Sequence, residues 1–294
     1  MIPDTIKQAF AKAQEDSPAT IYGWIRTKRT SKNLAFLALN DGSMQDNLQV
    51  VVEAVNPFFE KLAPAQTGAS VKVTGLWKKS LGKGQQWEVL LSELEVLGET
   101  TQSYPLQKKG HTLEFLREIA HLRGRTNTFG AVFRLRNALA QGVHKFFSEK
   151  DFIWAQTPIL TAADCEGAGD LFKVTNFSDE QLAQAKSNPD LWQEDFFGRK
   201  SYLTVSGQLQ GEILATSHSR VYTFGPTFRA ENSNTARHLS EFWMIEPEMA
   251  FCNLMQNRAV AEEFVRYLIK YALENCEPEL RFFEKFYKKT SVSE

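Results

Sequence analysis

Residues 227–251 read TFRAENSNTARHLSEFWMIEPEMAF. Arg229, Glu231, Arg237, His238, Glu241, Phe242, Glu246 and Glu248 all stand in this one stretch. It reads as two extended runs joined by a polar loop. In a strand, residues two apart share a face. Arg229 and Glu231 are therefore expected to point the same way. In the second run Phe242, Met244, Glu246 and Glu248 share one face, and Trp243, Ile245, Met249 and Phe251 the other. The latter face is apolar and suited to burial. The former offers, with Arg229 and Glu231, a cation, carboxylates and an aromatic ring on an open sheet. Those groups suit a triphosphate with magnesium, a stacked base and an ammonium group. A charged strand face is also common as a solvated surface.

The surrounding chain bounds the reading. Its 294 residues suggest about two domains. With 43% hydrophobic and 23% charged residues it has the makings of an ordinary globular core. A net charge of −1 means that any nucleic-acid surface must be a local patch. Cys165, Cys252 and Cys276 are an odd set without a C-x-x-C pair, which argues against disulfides or zinc and fits a reducing cytosol. No signal peptide, transit peptide or membrane-length apolar run is legible, so a cytoplasmic protein is expected.

Residues 1 to about 18 predict a short helix ended by Ser17-Pro18. IYGWI, LAFLAL, LQVVVEAV, SVKVTGLW and EVLLSELEVLG then give five β-type runs within residues 19–99. Five strands of this length fit a small OB-fold barrel, and equally an SH3-like one. Residues 100–127 read as a linker. A helix is predicted from about Thr128 to Glu149, with Val132, Leu135, Leu139, Val143 and Phe146 on one apolar face. Residues 179–192 form a polar, helix-compatible insertion. Strands follow near 201–205 and 221–224, then the hairpin, then a helix near 253–275 that buries Phe264 and Leu268. Lys288 to Glu294 carry no fold signal.

Arg26, Lys28, Arg29 and Lys32 lie in seven residues after the first strand, and Phe36 stands on the next. Cations beside an exposed ring make a platform for single-stranded RNA. The same residues also suit a solvated basic loop and a core phenylalanine.

Taken together, FRAEN, RHLSEF and the E-P-E run of the hairpin resemble motif 2 of the class II aminoacyl-tRNA synthetases, in its asparaginyl form. FIWAQTP at 152–158 is similar to motif 1, and DCEGAGD at 164–170 to the family's mobile flipping loop. SGQLQGE at 206–212 is similar to the specificity segment, and GWIRTKRTSKNLAFLALNDGS to the anticodon-binding OB domain of the aspartyl and asparaginyl enzymes.

The resemblance implies a fold with a five-stranded OB barrel over residues 1–99 and a linker over 100–127. Residues 128–294 would be a partial class II catalytic domain, an antiparallel sheet flanked by helices. It implies ATP-dependent activation of asparagine and transfer to tRNA(Asn), with ATP and Mg²⁺ as cofactors and a homodimer formed through motif 1. Arg229 would grip the α-phosphate and the amino-acid carboxylate, Glu231 the adenine amino group and Phe242 the adenine ring. Arg237 and His238 would lie near the terminal phosphates or the tRNA end. Glu166, Gln208, Glu212, Glu246 and Glu248 would line the amino-acid pocket, with Glu246 and Glu248 also offered to Mg²⁺. Phe36 would stack an anticodon base, and Arg29 and Gln49 would bond base edges. Aspartyl members carry a lysine where this chain has Gly211. Without that cation, and with Glu212 next to it, the pocket is expected to accept an amide and repel a carboxylate.

The family continues into a Gly-rich motif 3, and no such segment is found in this sequence. The implied alternatives are an inactive fragment, an enzyme completed by a separate C-terminal catalytic chain, and a non-catalytic tRNA-binding protein. An aspartyl-type enzyme is the competing specificity.

Overall fold

Five strands make the first structure along the chain: β1 (Pro18–Thr30), β2 (Leu34–Asn40), β3 (Leu48–Glu53), β4 (Ser70–Lys79) and β5 (Trp87–Gly98). The computed structural model describes residues 2–290, apart from Lys83, Gln102, Glu166, Ala168, Gly169, Asn234 and Ala236. The strands close into a barrel in the order β1-β2-β3-β5-β4, as expected of an OB-fold. Only the β3–β5 pairing is parallel. Strict alternation explains why the sheet has one inside. In β2, Ala35, Leu37 and Leu39 are fully buried, while the intervening Phe36 and Ala38 sit on the outer surface. Ile21, Ile25, Val50, Val71, Val73 and Val89 complete the interior. Each such side chain contributes roughly 1.5–3 kcal/mol by leaving water.

The N-terminal helix α1 (Ile6–Ala11) is shorter than expected, ending well before Ser17-Pro18. A capping box between Thr5 and Gln8 starts it, and Ile6 anchors it in the barrel core. The stretch read as a linker carries two short helices, α2 (Leu113–Glu118) and α3 (Ala120–Arg123). Thr112 begins α2 by accepting a hydrogen bond from the Phe115 amide.

The long helix α4 (Asn127–Ser148) matches its predicted span. Val143 and Phe146 on its apolar face are buried, whereas Val132 is largely exposed. Two compact units divide the chain: Met1–Asn137 with Cys276–Glu294, and Ala138–Asn275.

The second unit holds two small sheets. β6 (Ile153–Trp154), β10 (Arg220–Phe228) and β11 (Glu241–Met249) form one in the order β11-β10-β6. β7 (Leu160–Thr161), β8 (Lys173–Val174) and β9 (Ser201–Leu203) form the other in the order β7-β9-β8. The predicted insertion becomes α5 (Asp179–Ser187), capped by Ser178 and Gln181, followed by a 3-10 segment. α6 (Gln208–His218) leads into the hairpin and α7 (Leu254–Asn275) follows it.

The buried core here is aromatic. Phe147 stacks on Tyr222 at 4.5 Å between ring centroids, and Phe146, Phe152, Phe264 and Leu268 surround them. Ile245 and Met249 of β11 join this core as their strand face predicted. The same face does not extend further. Trp243 touches Phe224 edge-on but stays half-exposed, and Phe251 is 98% exposed. The strand ends at Met249, and a left-handed φ of 60° at Phe251 turns the chain away.

A last helix, α8 (Glu277–Thr290), lies in a region the sequence left unassigned. Its Glu279 is buried and accepts from Arg134 Nε at 2.7 Å, within the first unit.

Candidate functional site

The β10–β11 register sets Thr227 opposite Phe242, Thr223 opposite Glu246 and Val221 opposite Glu248. β10 stops at Phe228, yet Arg229 N still donates to Ser240 O at 3.0 Å. Arg229 and Glu231 are thus beyond the regular strand. They nevertheless line one cavity of about 250 Å³, together with Arg237, His238 and Phe242. The Arg229 guanidinium lies over the Phe242 ring, 5.4 Å from its centroid. Among the described residues its Nε is buried with no partner. A buried donor left unpaired costs about 1–3 kcal/mol. The outer guanidinium N–H groups can pair a phosphate or carboxylate with charge-assisted bonds.

A second cluster is built on α6. Ser206 Oγ, Gly207 N (3.1 Å) and Thr223 Oγ1 (2.6 Å) all donate to the Glu246 carboxylate. Gly207 must be glycine, because a Cβ would stand 2.8 Å from Thr157 Oγ1 and 2.9 Å from Thr223 Cγ2. The turn at Thr157-Pro158 therefore packs directly against the start of α6. Both residues share a cavity of about 230 Å³ with Gly207, Thr223 and Glu246.

Gln208 Nε2 donates to Glu212 Oε1 at 2.9 Å, which holds that carboxylate on the same helix face. Burial first, then the charges of Glu212 and Glu246, push the Glu248 carboxyl up to about 7. Gly211 abuts this group: a Cβ there would lie 3.2 Å from Glu248 Cγ.

The structure thus gathers the expected residues into two adjoining groups, Arg229, Glu231, Arg237, His238 and Phe242 in one, Gln208, Glu212, Glu246 and Glu248 in the other. Glu166 lies outside the described residues. Its neighbours bracket the site: Cys165 Sγ is 3.9 Å from Gln208 Oε1, and Asp170 O accepts from Ala230 N at 2.7 Å. Sequence reasoning missed Thr223 and the engagement of Ser206. Their bonds to Glu246 span 23 and 40 residues, and only the strand pairing brings them together.

On the barrel, Arg29 pairs in register with Phe36, and Phe36 with Val51. Arg29 is exposed, and the Phe36 ring is half-buried on the outer surface. Gln49 is already engaged, donating to Glu88 Oε2 at 3.0 Å. The predicted four-cation cluster is divided. Arg26 donates to Asn127 Oδ1 at 3.1 Å and Lys28 to Leu62 O at 2.8 Å, and burial lowers the pKa of both. Arg29 and Lys32 remain on the surface.

Among the described residues no group of three or more His, Cys, Asp or Glu is arranged to hold a metal ion. Mg²⁺ needs only one or two carboxylates when substrate phosphates supply the rest. Glu246 already accepts three hydrogen bonds, from Ser206, Gly207 and Thr223. No described helix is long and apolar enough to cross a membrane.

A family model described as tRNA synthetases class II (D, K and N) matches residues 112–294, and one described as an OB-fold nucleic acid binding domain matches residues 19–97. The chain is similar to the asparagine–tRNA ligase of Microcystis aeruginosa, at 53% identity over 98% of this chain and 62% of the relative. It is similar to that of Bacteroides fragilis at 54% identity, over 92% of this chain and 58% of the relative. Among solved structures it is similar to the asparaginyl-tRNA synthetase of Pyrococcus horikoshii complexed with asparaginyl-adenylate, with a TM-score of 0.81 and 26% identity. That match covers 96% of this chain and 61% of the other. The chain spans about three-fifths of the length of the curated relatives it matches.

Proposed function

This chain belongs to the class II tRNA synthetases of the aspartyl, lysyl and asparaginyl group, and from that premise we propose that it serves asparagine activation and transfer to tRNA(Asn). In this reading residues 128–294 carry activation and residues 1–99 read the anticodon. ATP enters the cavity around Arg229, with adenine against Phe242 and its amino group toward Glu231. Arg229 neutralises the α-phosphate, and its place in the cavity over Phe242 supports that role. Arg237 and His238 lie toward the terminal phosphates. Magnesium, when bound, would offset phosphate charge, with Glu246 and Glu248 the carboxylates offered to it, directly or through water. The asparagine carboxylate attacks the α-phosphorus in line and pyrophosphate leaves. The terminal ribose hydroxyl of the tRNA then attacks the acyl-adenylate. Positioning and charge neutralisation suffice, with no covalent nucleophile on the protein.

The observation that carries the specificity is the contact of Gly211 with Glu248 beside Glu212. A pocket of carboxylates with no lysine accepts from an ammonium and an amide and repels an aspartate side chain. Glu246, tied to Ser206, Gly207 and Thr223, acts in this reading by fixing the α6 segment against the sheet. The exposed apolar pair Ile153 and Trp154 at the β6 edge supports dimerisation through motif 1. The cytoplasm is the proposed compartment.

Asparagine-dependent ATP–pyrophosphate exchange, alongside native mass measurement, tests the proposal. Exchange with asparagine and not aspartate is expected. Better exchange with aspartate would overturn the specificity. Retained tRNA binding without any exchange would point to a tRNA-binding protein instead.

A further inference from the structure

A third cavity, of about 490 Å³, lies wholly within the first unit, between β1, the 104–111 segment and the start of α4. Arg26, Lys108 and Lys109 line it, and no described aspartate or glutamate does. None of these three cations forms an ion pair among the described residues, where the ion pairs lie elsewhere. Burial lowers the Arg26 pKa, with Tyr104 opposing the shift and Arg125 adding to it, and the guanidinium already donates to Asn127 Oδ1. No described carboxylate pairs with it, so an anion would add the missing counter-charge. The first turn of α4 lines the same cavity at Asn127 and Thr128, and its amides add positive potential. Asn47 also lines it.

We propose that this cavity binds a phosphate-bearing ligand, with the phosphate on Arg26, Lys108 and Lys109. Its volume falls in the usual range of small-molecule sites and accommodates a ligand of nucleotide size. Arginine matches phosphate geometry with a paired donor fork, and the two exposed lysines add charge at the mouth. The site uses none of the residues assigned to activation, so it stands or falls independently of that reading.

The test is amide NMR on the full chain, titrated with ribose 5-phosphate and, as control, ribose. Saturable shifts at Thr27, Gly110 and Thr128 are expected with the phosphate and not with ribose. Arg26→Gln, and separately the surface double variant Lys108→Gln/Lys109→Gln, should each weaken binding about tenfold. Should Arg26→Gln fail to fold, the double variant decides. A short oligouridylate distinguishes the ligand's source. Competition for the same amides assigns the site to a nucleic-acid phosphate, and its absence to a free phosphorylated metabolite. The proposal is overturned if ribose 5-phosphate moves none of these amides, if ribose matches it, or if the folded variants bind it as the native chain does.

Discussion

A carboxyl half-buried beside two others resists ionisation, and at Glu248 this raises the folded-state value to about 7. A raised carboxyl binds more protons folded than unfolded, so its stabilising contribution is full at acid pH and is lost as pH climbs through the folded value. Glu248→Gln should therefore leave stability at pH 5 little changed and raise it above pH 7 by about 1 kcal/mol, discounted for partial exposure. Denaturant melts at the two pH values check this. Asparagine affinity in the native chain should rise over the same window, as ionised Glu248 becomes available to the ammonium group. On the barrel, Phe36→Ala should weaken tRNA binding by about 1–3 kcal/mol, one stacked base, with pyrophosphate exchange unchanged. Equal loss in both assays would remove Phe36 from the RNA surface. At this scale the sequence was readable where neighbours in the chain are neighbours in space, as with Arg229, Glu231 and Phe242 around one cavity. It was not readable for Glu246, whose three donors come from the turn before α6 and from β10.

Alternation and periodicity made the elements legible, because a barrel strand such as β2 must bury every second residue. The short helices were not: α2 and α3 have few residues to show a period, and α8 is anchored by Arg134, 145 positions away. The apolar face of β11 was overextended to Phe251, where a backbone turn rather than composition ends the strand. α6 is the element on which specificity turns. Gly211→Lys should abolish asparagine binding, since its Cβ already crowds Glu248 and its ammonium would pair with Glu248 or Glu212. Calorimetry with asparagine and aspartate would show it; unchanged asparagine affinity would mean that α6 does not border the pocket.

Across the molecule, the order of barrel, long helix, Thr-Pro turn, glycine-led helix and charged hairpin says more than any one motif. Local rules supply each piece, and long-range pairing supplies the site. The Arg134–Glu279 pair ties α4 to α8 inside the first unit, and Glu279→Ala should cost about 1–3 kcal/mol, the guanidinium keeping its bonds to Gly42 O and Gln45 Oε1. The most direct test of the account is binding of non-hydrolysable asparaginyl- and aspartyl-adenylate analogues, compared by calorimetry in the native chain and in Arg229→Ala. The account predicts that the asparaginyl analogue binds more tightly by about tenfold or more, and that Arg229→Ala loses most of that affinity. Equal or tighter binding of the aspartyl analogue, or binding indifferent to Arg229, would contradict it.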